Sequence, residues 1–75
     1  MITTPITDSS QITEIAYDPS EQILVITFKK KGTKYAYTNV PAHIHDELIK
    51  AESKGKYFHQ NIRGKFEYGR IYEEV

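Results

Sequence analysis

The sequence predicts an α+β domain: a three-stranded antiparallel meander followed by two short helices packed on one face, closing on a short C-terminal extended segment. Three observations point there. Apolar residues alternate with a period of two through 15–17, 24–28 and 35–37. Behind Pro41, Ile44, Leu48 and Ala51 recur at helical spacing. Phe58 and Ile62 then share one side of a second helical stretch whose other side carries Lys56, His59 and Arg63.

Residues 1–10, rich in threonine and serine with one proline, read as a loose arm, and residues 11–72 as a single domain. From Gln11 to Asp18 a strand puts Ile15 and Tyr17 on one face, while Ile12 falls out of phase and predicts a bulge or an irregular start. Asp18-Pro19-Ser20-Glu21 is a turn, because proline presets the backbone angle of the second position and Asp favours the first. The stretch from Gln22 to Lys30 carries Leu24, Ile26 and Phe28 on one face and Ile23, Val25 and Thr27 on the other, the pattern of a central strand. Gly32 supplies a tight hairpin into Lys34 to Thr38, where Tyr35 and Tyr37 share a face. Pro41 suits the first position of a helix, where its missing N–H costs nothing. Ser53 caps a second helix running to about Ile62, the reading favoured over one in which Gly55 ends the first helix; Gly64 stops the second, and residues 66–72 read as an extended segment with Phe66 and Tyr68 on one side.

A chain of 75 residues has room for one core. Such domains bury only about 60% of the surface their unfolded chains expose. The six tyrosines and three phenylalanines must therefore carry a large share of the packing. There is no cysteine, hence no disulfide framework and no thiol chemistry, which suits a reducing compartment. No basic leader followed by an apolar run opens the chain, so the cytoplasm is the expected location.

Ten basic and ten acidic side chains cancel, which excludes a surface that adheres to polyanions all over. Their distribution is uneven. Residues 22–45 hold four lysines and no acid, and residues 53–66 hold three lysines, one arginine and no acid. This segregation predicts one positive face, set against the commoner outcome that charge blocks so short are solvated surface.

Nucleic-acid binding is the function class these blocks favour. A helix starting after Ser53 directs N–H groups and the positive end of its dipole toward an anion, with Lys54 and Lys56 beside it. The Ser53 hydroxyl, Lys56 and Arg63 are candidates to hold phosphate, Arg63 bidentately, while His59 joins the stripe and Asn61 and Tyr57 flank it. Tyr35 and Tyr37 are candidates to stack unpaired bases, at about 1–3 kcal/mol per base, although burial in the core is the commoner use of such rings. The bland alternative for the helical segment is a Ser53 that merely caps, a Gly55 that permits close packing, and cations that are solvated. No serine nucleophile can be matched with a base, and there are no paired carboxylates or glycine-rich phosphate loop, so neither an enzyme nor a cofactor is expected. His43 and His45 stand two apart on a helix and point in different directions, so no metal site is expected. The competing class is a protein-interaction or accessory module that docks through exposed aromatics or an open sheet edge.

The strand end Ile15-Ala16-Tyr17-Asp18, the strand from Leu24 to Phe28, the Tyr35-Ala36-Tyr37 motif, Val40-Pro41, and Ala51-x-Ser53-x-Gly55-x-Tyr57-Phe58 running to Ile62-Arg63 together resemble the KTSC family. That small domain takes its name from the C-terminus of some lysyl-tRNA synthetases. The family also occurs as free-standing small proteins of bacteria and their phages, the form this chain resembles. The resemblance implies RNA or another single-stranded nucleic acid as the partner, through the synthetase association.

Overall fold

A computed structural model describes residues 1–72. It contains β1 (Ile2–Pro5), β2 (Ile12–Asp18), β3 (Ile23–Phe28), β4 (Lys34–Tyr37), α1 (Ala42–Lys50), α2 (Lys54–Asn61) and β5 (Tyr68–Ile71). The five strands form one antiparallel sheet in the order of the chain, with both helices inserted between β4 and β5. The α+β class stands, but the expected three strands are five.

Both extra strands lie at the margins. Ile2 to Pro5 pair with Tyr17 to Glu14, so the expected loose arm holds a strand. Three of its four residues are exposed, which leaves no apolar alternation to read, and Pro5 is tolerated because an edge strand has one side without a ladder partner. All four residues of β5 are exposed too, and its pairing with β4 joins segments from opposite sides of the helical insertion.

β3 is the central strand. Across β2 to β5, Tyr17, Leu24, Tyr37 and Tyr68 stand in one row, and Ile15, Ile26, Tyr35 and Arg70 in the next. This face meets the helices: Ile12, Ile15, Leu24, Ile26, Val40, Leu48 and Ile62 are fully buried, with Tyr17, Tyr37 and Phe58 nearly so. The opposite face carries a row of small residues, Thr3, Ala16, Val25, Ala36 and Gly69. The pairing of β2 with β3 shifts register between Ile12 and Glu14, the irregularity that the out-of-phase Ile12 foretells.

Local chemistry sets the connections. The Asp18 carboxylate accepts from the Ser20 hydroxyl at 2.8 Å and from the Ser20 and Glu21 N–H groups. These bonds, the Ser20 side chain first, hold the carboxyl below its ordinary range. The β3–β4 connection is a hairpin that turns through a 3₁₀ stretch over Lys30–Gly32, with φ of 60° at Lys31 and 61° at Gly32. Pro41 is the residue just before α1, and Tyr17 Oη ties that junction to the sheet by donating to the Val40 carbonyl at 2.6 Å. His45 is buried on α1 with its ring stacked on Tyr17, centroids 4.7 Å apart and planes 9° apart. Among the described residues no helix is long and apolar enough to cross a membrane.

Candidate nucleic-acid interface

Helix α2 positions most of the candidate residues. Ser53 caps it, its hydroxyl accepting the Lys56 N–H at 3.3 Å while its carbonyl accepts that of Tyr57 at 3.0 Å. At the other end the Ile62 and Arg63 N–H groups both donate to the Phe58 carbonyl at 2.9 Å, and Gly64, at φ 76°, turns the chain away. Phe58 and Ile62 face the core as their spacing predicts. Gly55 is buried as well: a Cβ there would stand 2.6 Å from Gln11 Oε1.

The two ends of the segment treat their cations differently. Lys54, expected on the exposed basic face, is turned inward and only 8% exposed. Its Nζ donates to the Ala51 carbonyl at 3.1 Å and lies 3.5 Å from Asp8 Oδ2. A hollow of about 310 Å³ adjoins this end, but Asp8 and Glu52 line it beside Lys54 and Lys56. With Ser53 Oγ already accepting from Lys56, two carboxylates make this end a poor place for phosphate. Lys56, His59 and Arg63 are exposed and follow one another at i, i+3 and i+7, and no salt bridge among the described residues engages Lys56 or Arg63. Arg63 Nη1 lies 3.3 Å from His59 Nδ1, so the guanidinium folds back along the helix.

Arg63 and His59 stand at the mouth of a second hollow, about 460 Å³, between α2 and the β4–β5 corner of the sheet. Phe28, Tyr35, Tyr37 and Tyr68 line it from the sheet, and Phe58 and Gly64 from the helical side. The rings meet mostly edge to face: Phe28 on Phe58 at 5.2 Å, Tyr37 on Phe58 at 5.6 Å, Tyr35 on Tyr68 at 5.7 Å. Tyr37 is 4% exposed, so it packs in the core at the hollow's base, whereas Tyr35 is half-buried and Tyr68 is 62% exposed. Burial, then the neighbouring phenols of Tyr68 and Tyr35, push the Tyr37 hydroxyl up to about 12, partly offset by Arg63.

Of the sequence-predicted residues, the structure gathers Tyr35, Tyr37, His59 and Arg63 around this hollow, with Lys56 further along the same stripe. The rest are engaged elsewhere. Tyr57 Oη donates to Glu47 Oε1 at 2.9 Å, and burial together with that bond raises its pKa to about 12. Asn61 Nδ2 donates to the Tyr57 carbonyl at 3.2 Å. Sequence reasoning missed Phe28, Phe58 and Tyr68 as lining residues. Tyr68 becomes a neighbour of Tyr37 only through the β4–β5 pairing, which no local pattern encodes.

The KTSC domain model matches residues 8–66. The chain belongs to the KTSC domain family. A KTSC domain protein from Yersinia pestis of known crystal structure shares 38% identity and superposes with a TM-score of 0.87, over 93% of this chain and 96% of that one. A lysine-tRNA ligase of Trichormus variabilis is 41% identical over 64 residues, 85% of this chain but 11% of the ligase. A protein of Tsukamurella paurometabola is 39% identical over 59 residues, covering 79% of this chain and 87% of that protein. The KTSC domain is thus found both within lysine-tRNA ligases and in small proteins of similar length. The matched stretch begins after β1 and ends before β5, so Tyr68 comes from outside it.

Proposed function

We propose that this KTSC domain is a binding module for single-stranded nucleic acid, with RNA the favoured form, and that it catalyses no step of its own. The observation that carries this is the exposed stripe of Lys56, His59 and Arg63, whose two permanent cations have no carboxylate partner among the described residues. Phosphate contacts supply most of the sequence-independent affinity of such proteins. The likeness to segments of lysine-tRNA ligases supports RNA as the partner; the ligases' own activity belongs to proteins in which this domain is a small fraction.

Fluorescence anisotropy with labelled single-stranded RNA at low salt tests the proposal. Lys56→Ala combined with Arg63→Ala should weaken binding about tenfold and flatten the salt dependence by roughly 1.4 log units per decade, about 0.7 for each lost phosphate contact. Undetectable binding to the unaltered protein at low salt, or unchanged affinity in the double variant, would sink it.

A second reading has its own observation. Tyr68, Ile71 and Tyr72 are 62%, 38% and 76% exposed along and just beyond the marginal strand β5. An accessory module would dock a protein there by strand addition. Recovery of a stoichiometric protein partner that Tyr72→Ser releases, with no RNA co-purifying, would favour that role.

A further inference from the structure

We propose that the aromatic hollow between α2 and the β4–β5 corner receives one unstacked base of the bound strand, while Arg63 holds the phosphate next to it. This deepens the RNA reading and rests on it. Phosphate contacts alone would make the domain blind to whether bases are present; a base pocket makes it select single strands over duplexes.

Size and asymmetry point to this occupant. The hollow, about 460 Å³, falls within the roughly 300–1,000 Å³ typical of small-ligand sites. Its sheet side is aromatic, and among the described lining residues the permanent positive charge stands on the helical lip, where Arg63 meets His59. A matching ligand is flat and π-faced at one end and anionic at the other, which describes a nucleotide. Tyr68 offers the accessible ring surface: it is 62% exposed, yet braced edge-on by Tyr35 at 5.7 Å and tilted against Tyr37 at 5.5 Å. The buried rings of Tyr37 and Phe58 close the base of the hollow. Arg63 has five N–H donors and uses one toward His59, leaving others for a phosphate oxygen pair. Stacking reads a π-face that every base possesses, so little preference among bases follows. In a duplex the bases remain stacked on one another and cannot enter.

Three labelled probes test the idea by anisotropy: a single-stranded RNA 12-mer, an abasic ribose-phosphate strand of equal length and charge, and an acidic peptide ending in phenylalanine. The RNA should bind about tenfold more tightly than the abasic strand, a ratio set by stacking of one base. Tyr68→Ala should shrink that ratio to about twofold, while Tyr68→Phe, which keeps the ring, should preserve it. Far-UV circular dichroism identifies which variants are folded, and Tyr68→Phe keeps the comparison valid if truncation disturbs β5. Equal affinity for RNA and abasic strand overturns the base pocket and leaves the phosphate stripe standing. No binding of either strand overturns both, and binding of the peptide in preference to both strands assigns the hollow to a protein partner.

Discussion

Lys54 and Arg63 begin and end the same short helical segment, and the fold spends them in opposite ways. Lys54 lays its stem into the protein, with its ammonium between the Ala51 carbonyl and Asp8, while Arg63 stays at the surface over an aromatic hollow. The difference lies in what packs against each end. The first turn meets the segment after β1, which brings Asp8 and Gln11 against Lys54 and Gly55. The last turn meets the β4–β5 corner, where the described lining contains no carboxylate. One end of the helix is therefore a structural joint, and the other leaves Arg63 exposed beside a lining with no carboxylate among the described residues.

The largest test of this contrast concerns the buried anchor at the Arg63 end. Ile62 is fully buried on the core side of the segment, so Ile62→Ala should cost about 3 kcal/mol, read as a lower urea midpoint. Next, Lys54→Ala should cost about 1 kcal/mol of stability, mostly from lost packing of its stem because Asp8 is largely exposed, while RNA affinity stays within twofold. A tenfold loss of RNA affinity on that substitution would erase the distinction between the two ends. The smallest effect is in alkali. Burial raises Tyr37 and Tyr57 to about 12 from an ordinary value near 10, so folding favours their neutral forms. Their contribution is present below pH 10 and fades as pH rises toward 12. Absorbance titration should show Arg63→Ala delaying the Tyr37 transition further and Glu47→Gln bringing that of Tyr57 earlier, each through the neighbour named.

Much of the fold was legible in the residues. Alternation marked β2, β3 and β4, and the bulge near Ile12 showed as a phase error. Ser53 and Gly64 bracketed α2 because a cap and a left-handed stop act within a few residues of chain. The marginal strand β1 escaped because edge residues exposed to water need no apolar pattern, whereas β5 falls within the extended segment expected over residues 66–72 and only its pairing with β4 went unread. Tyr35 and Tyr37 were rightly placed on one face, but alternation gives no depth: one is half-buried in the wall of the hollow and the other lies at its base. Lys54 was misplaced because its charge argued for water, whereas a lysine stem can follow apolar surface inward when a carbonyl and a carboxylate wait at its tip.

By itself the sequence determined most of the local units: the extended stretches β2 to β4 and the C-terminal segment, the two helices with the cap and stop of the second, and that basic residues concentrate near that helix. Those follow from periodicity, capping and backbone angles, all set within a few residues. Only the tertiary structure decided that β5 returns to β4, that Tyr68 and Arg63 share one hollow, and that Lys54 leaves the surface. Each of those depends on segments far apart in the chain, where the free energy of packing, not local preference, chooses the neighbour.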